Sequence, residues 1–242
     1  MTKPDYTTLD LPGPPGDRPY LLINMVMSVD GKAVIEGTEK GIGTTTDQRL
    51  MRELRVNADV ILGGAGTLRA SGASARLDDP ALEALRLTRG KPRLPTSAVI
   101  SRSGSLPLER TFFTARDFEG IVYLSESAPA AARAAIVATG RRVVDLPEGQ
   151  ELAAALRHMR FELHASVLLV EGGPGLNAQL FEAGLVDEYF TTLGPVVVGG
   201  KDTLTAVEGR AFARDHVKRL DLLSAVPNEE TGEVYLRYRV RR

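Results

Sequence analysis

The stretch Val167-Leu-Leu-Val-Glu-Gly-Gly-Pro-Gly-Leu-Asn-Ala-Gln-Leu-Phe-Glu-Ala-Gly184 decides the fold, because its period changes partway through. Val167 to Val170 are continuously apolar, the pattern of a strand covered on both faces of a parallel sheet. Leu176, Leu180 and Phe181 then recur at helical spacing, and Gly184 supplies the stop. Between strand and helix, Gly172, Gly173 and Gly175 let backbone approach a ligand, and the helix start offers N–H groups that suit a phosphate. Glu171 sits at the carboxyl end of the strand, where ligands of open α/β sheets bind. The plainer reading is a glycine-tolerant turn with a solvated carboxylate.

Working outward, apolar strands alternate with helical segments. Strands are expected at 20–26, 59–62, 96–100, 121–124 and 142–146, and helices at 47–56, 129–138 and 150–160. Asp78-Asp-Pro80 starts a further short helix. This alternation predicts parallel βαβ units with right-handed crossovers. After Gly184, strands are expected at 188–193 and 195–198. The tail reads differently: 217–225 and 234–240 form an antiparallel hairpin at a sheet edge. Residues 1–19, with Pro12-Gly-Pro-Pro-Gly16, form an extended arm. No linker interrupts 20–242, which is read as a single domain.

Composition narrows the function. With 43% hydrophobic and 25% charged residues, the 242-residue chain reads as an ordinary soluble protein. A net charge of −1 carries no basic excess, so no nucleic-acid partner is expected. The absence of cysteine removes disulfides, thiolate zinc sites and a cysteine nucleophile, and three scattered histidines leave no metal site. No apolar run approaches the roughly 20 residues of a membrane span, and no signal-peptide core is visible, so a cytoplasmic address is expected.

Several polar residues fall at expected strand ends. Asn24, Ser28, Asp30 and Lys32 can converge after the first strand, or form a hairpin with a solvated lysine. Arg49, Arg52 and Arg55 share one helix face, from which one guanidinium can reach a phosphate. Gly63-Gly-Ala-Gly-Thr67 is a second glycine turn without a Walker lysine. Ser101, Arg102 and Ser103 are the residue types that recognise an adenosine 2′-phosphate, and also ordinary loop residues.

Ser28-Val-Asp-Gly-Lys32, Gly63-Gly-Ala-Gly-Thr67, Glu171-Gly-Gly-Pro174, Gly184-Leu-Val-Asp-Glu188 and Pro195-Val-Val-Val-Gly-Gly200 occur in an order that resembles the riboflavin-pathway pyrimidine reductases. The resemblance covers residue 20 to the C-terminus. It implies a dihydrofolate-reductase-like three-layer α/β/α fold, mostly parallel with an antiparallel C-terminal hairpin. The implied activity is NADPH-dependent reduction of the ribosyl group of a pyrimidine ribosylamine 5′-phosphate to its ribityl form. The chain resembles a free-standing reductase, since the zinc deaminase fused to many bacterial members needs cysteines.

By resemblance, Met27, Gly63, Thr67, Ser71, Ser101, Arg102, Gly172, Gly173, Gly175 and Leu176 contact NADPH, with the later turn on its pyrophosphate. Lys32 and Glu171 hold the ribose hydroxyls, Asp30 and Asn24 support them, Ser28 belongs to the same site, and Arg55 is a candidate for the substrate phosphate. Lys32 is the preferred acid. Family members pair through sheet-edge strands, which implies a homodimer. Unlike the family, this chain has Ser71 where an aspartate is expected, with Asp78-Asp-Pro80 arriving late, so the aminated and deaminated pyrimidines both stay open as substrates. A dihydrofolate-reductase-like enzyme of other specificity, or a non-catalytic nucleotide-binding sensor, are the alternatives.

Overall fold

In the computed structural model, which describes residues 3–72 and 74–241, the apolar run at 167–170 is a strand and 174–182 is a helix. In chain order the elements are β1 (Tyr20–Ser28), α1 (Thr45–Asn57), β2 (Val60–Gly64), α2 (Ala65–Ser71), α3 (Pro80–Thr88), β3 (Thr96–Ser101), α4 (Thr111–Thr114) and β4 (Gly120–Ser125). They continue with α5 (Ala130–Ala138), β5 (Arg142–Leu146), α6 (Glu151–Phe161), β6 (Val167–Val170), α7 (Pro174–Glu182), β7 (Glu188–Gly194), β8 (Leu220–Pro227) and β9 (Val234–Val240). The strands make a nine-stranded, mostly parallel sheet with antiparallel C-terminal strands, the α/β class read from the sequence. Residues 3–19 contain no helix or strand, as their prolines require.

The chain divides into two compact units. One comprises Leu11–Tyr20 and Arg55–Leu169. In it β2, β3, β4 and β5 pair in parallel, with Leu62 opposite Ala98 and Val122 opposite Val143. Every residue of β4 is buried, which is why it reads as a continuous apolar run. Helix α3 begins as expected: Asp79 is its N-cap, accepting from the N–H groups of Ala81 (2.8 Å) and Leu82 (3.2 Å), and Pro80 fills the first turn. From this helix Arg86, fully buried, donates to the carbonyls of Arg55 (2.7 Å) and Ala58 (2.6 Å). The guanidinium thereby closes the carboxyl end of α1, where the helix dipole favours a cation. Burial pulls its pKa down to about 10.

The other unit comprises the described residues 3–10, 21–54 and 170–241. Here β1 and β7 pair in parallel, β7 and β9 antiparallel, and β9 carries the outermost strand β8. The arm is tied down at Tyr6, whose N–H donates to Glu53 Oε2 (3.1 Å) and whose ring meets Phe190 edge-on at 5.1 Å. Glu188, fully buried on β7, accepts from Arg237 Nε at 2.7 Å and fixes β9 beside it.

Two expectations about the tail are corrected. Residues 195–198 are not a strand. Pro195 has no N–H to give, and the N–H groups of Val198 and Gly199 are taken by the carboxylate of Asp30 rather than by a neighbouring strand. The first hairpin strand is Leu220–Pro227, not 217–225, because Asn228, whose N–H donates to Glu233 O (2.8 Å), closes the turn two residues later than expected.

Candidate functional site

The turn after β1 is built by its own side chains. Ser28, fully buried, accepts from the N–H of Lys32 (2.8 Å) and donates its hydroxyl to Asp30 Oδ1 (2.6 Å). Gly31 adopts φ +79°, a conformation that glycine takes without strain. The Asp30 carboxylate also receives Val198 N–H (3.1 Å) and Gly199 N–H (2.7 Å). These bonds, that of Ser28 foremost, hold its pKa down at about 2. Asp30 therefore braces the turn against the Pro195–Gly200 segment. Lys32 is left with its ammonium on the carbonyl of Thr203, at 3.1 Å.

The glycine turn lies in the same unit. Glu171, half-buried, follows β6 directly. Gly172 has φ +84° and joins Gly173 through a cis peptide bond. Gly173 is the N-cap of α7 and provides no side-chain hydrogen bond to it. Gly175 is exposed, and a Cβ there would meet only the Glu208 carbonyl, at 4.0 Å. Packing does not demand glycine at that position, which leaves room beside the backbone. An uncapped helix start with open space beside it is chemically suited to an anion. Leu176 is buried beneath the turn. Asn24 and Met27 lie on β1 opposite Phe190 and Leu193 of β7, both half-buried.

The remaining candidates fall in the other unit. Gly63 is the fourth residue of β2, and α2 starts at Ala65, so the expected glycine turn is a direct strand-to-helix junction. Thr67 and Ser71 are one helical turn apart in α2, the Ser71 hydroxyl donating to Thr67 O (3.0 Å). Ser101 ends β3, buried, its Oγ accepting from Gly104 N–H (3.0 Å). The Arg102 side chain is 78% exposed, with its Nε 3.9 Å from Glu151. Arg55 is buried and donates to Arg76 O. Among the described residues there is no cluster suited to a metal ion, and no helix is long and apolar enough to cross a membrane.

Sequence reading missed Thr203, Thr205 and Glu208, which surround Lys32 from a segment whose only visible signal was Gly199-Gly200. Lys32 forms an antiparallel bridge with Thr205, and Ala33 N–H donates to Leu204 O (2.8 Å).

A mostly parallel sheet, with a braced lysine after β1 and an uncapped glycine turn after β6, defines an α/β protein with polar groups and open backbone beyond its strand ends. The chain belongs to the RibD C-terminal domain family, which matches residues 19–229. A 2,5-diamino-6-ribosylamino-4(3H)-pyrimidinone 5′-phosphate reductase of Methanothermobacter thermautotrophicus is 32% identical over 203 residues, covering 81% of this chain and 86% of that protein. The reductase of the same name from Archaeoglobus fulgidus is 29% identical over 198 residues, covering 81% and 90%. A pyrimidine reductase-like protein from Corynebacterium diphtheriae has the same fold, with a TM-score of 0.83 at 22% identity over 93% of each chain.

Proposed function

We propose that this chain is an NADPH-dependent reductase that converts the ribosyl group of a pyrimidine ribosylamine 5′-phosphate into a ribityl chain, in riboflavin biosynthesis. The observation that carries the reading is the 32% identity to a reductase of that name over 81% of this chain. NADPH, when bound, supplies a hydride to the anomeric carbon. The bond from that carbon to the ring oxygen breaks, and the ring oxygen takes a proton.

We assign that proton to Lys32 Nζ, held in place by Thr203 O. Glu171 and Asn24 hold the ribose hydroxyls, while Ser28 and Asp30 keep the lysine turn rigid. The Gly172–Leu176 turn would hold the pyrophosphate, and Met27 would contact the cofactor. Ser101 and Arg102 are assigned to the adenosine end, and Gly63, Thr67 and Ser71 keep their cofactor assignment from the family resemblance. Arg55, buried and bonded to Arg76 O, is kept as the candidate for the substrate phosphate. We also infer a homodimer formed through β8.

The test is loss of NADPH absorbance on adding the aminated and the deaminated pyrimidine substrates in parallel. Oxidation with one of them supports the reading and identifies the substrate, and no oxidation with either overturns it.

A further inference from the structure

The segment Thr203–Glu208 is a strap between Lys32 and the first turn of α7. On the lysine side, Lys32 Nζ donates to Thr203 O (3.1 Å), Ala33 N–H donates to Leu204 O (2.8 Å), and Lys32 bridges Thr205. On the helix side, Glu208 N–H donates to Pro174 O (3.1 Å), and Asn177 Nδ2, on a fully buried side chain, donates to Ala206 O (2.9 Å). Packing there is close: a Cβ on Gly209 would stand 3.0 Å from that of Ala178. One residue joins the two halves. Glu208 Oε1 accepts from Thr205 N–H (2.5 Å) and lies 2.9 Å from Thr205 Oγ1. These bonds, with the Lys32 ammonium adding to them, hold the Glu208 carboxyl below its ordinary pKa, so it is an ionised acceptor at neutral pH.

We propose that Glu208 is a positioning residue for the reduction: through Thr205 it holds the strap that orients Lys32, and through Pro174 it ties that strap to the glycine turn. This rests on the reading of Lys32 as proton donor. The carboxylate holds Thr205, which bridges Lys32, while the backbone N–H of the same residue holds Pro174, so one residue stands at both contacts of the strap. The bond to Pro174 runs from the backbone and survives any side-chain change, so substitution at Glu208 isolates the Thr205 link.

The test compares Glu208→Ala, Glu208→Gln, Lys32→Ala and the Lys32→Ala/Glu208→Ala double variant in the full chain, with NADPH and the pyrimidine substrate. Glu208→Ala is expected to lower kcat by ~10-fold or more with KM changed by less than ~2-fold, the signature of lost orientation rather than lost binding. Glu208→Gln, which keeps an acceptor for the Thr205 N–H, restores most of the rate. In the Lys32→Ala background Glu208→Ala costs nothing further, because the group it orients is gone. Independent, multiplicative losses, or a kcat equal to that of the parent protein, overturn the proposal. If Lys32→Ala retains full turnover, the proton-donor reading has failed and this proposal falls with it; loss in Lys32→Ala without loss in Glu208→Ala sinks the proposal alone. Hydrogen exchange at the Ala33 and Thr205 amides reads the strap without activity: faster exchange at both in Glu208→Ala supports it, and unchanged protection overturns it.

Discussion

Lys32 and Glu171 are the residues on which the proposed chemistry turns, and their substitutions separate two readings. If both only decorate the surface, each change leaves turnover alone and alters stability by under about 0.5 kcal/mol. As the proposed donor and ribose anchor, Lys32→Ala and Glu171→Gln should each cost ~10²-fold or more in turnover. NADPH affinity, measured by calorimetry, should barely change, since the proposed pyrophosphate contact rests on backbone N–H groups of the Gly172–Gly175 turn. Arg102, proposed for the adenosine end, is largely exposed, with its Nε 3.9 Å from Glu151. Arg102→Ala is expected to weaken NADPH binding by about 1.5–3 kcal/mol, the range for a charged hydrogen bond. NADH affinity should stay as it was, and equal losses for both cofactors would exclude the assignment.

At the scale of elements, the start of α1 depends on partners far along the chain. Thr44 caps the helix, its Oγ1 accepting from Thr46 N–H (3.1 Å), while Glu233, fully buried at the edge of β9, accepts from both Thr44 N–H (2.6 Å) and Thr44 Oγ1 (2.8 Å). Asp47 shares this neighbourhood. Burial raises its pKa to about 6, the negative charges of Glu233 and Glu39 add to the rise, and a hydrogen bond with Thr192 opposes it. Because the folded value lies above the ordinary 3.8, the fold favours the neutral acid. The stabilisation is fully present below the unfolded pKa and is lost as pH rises through about 6. Asp47→Asn, neutral at every pH, should therefore be more stable than the parent protein at mildly alkaline pH, by on the order of 1–2 kcal/mol once water near a half-buried carboxyl is allowed for. Near the unfolded pKa the two should melt together. Thermal melts across this range check the sign, and a variant that loses stability at high pH would contradict it.

For the whole molecule the exposed edge matters most. Strand β8 ends the sheet, and Leu222 and Leu223 on it are 56% and 39% exposed. A bulge between Leu222 and Ser224 interrupts its pairing with β9 but leaves the outer side of the strand open. Such an edge invites a second chain. The buried Glu188–Arg237 pair anchors β9 from behind, so the hairpin is a firm platform rather than a loose flap. We expect a dimer by light scattering at micromolar concentration, and Leu222→Lys should yield a monomer with an unchanged circular dichroism spectrum. A monomeric parent protein would rule out pairing through this edge.

The elements whose residues all obey one period were legible in the sequence: 142–146, 167–170 and 234–240 are strands with those bounds, and the glycine turn and its helix stand where the change of period put them. These depend on local alternation and on glycine and proline, which act within a few residues. The site was legible only as separate strand ends. What tertiary structure decided is how those ends are held. Residues 195–198 look like a strand by composition, yet their neighbouring N–H groups answer to Asp30, 168 and 169 residues away. Lys32 rests on a carbonyl 171 residues distant, and the cap of α1 on a carboxylate 189 residues distant. Polar groups take the partners that folding brings within about 3 Å, and no local pattern encodes which these are.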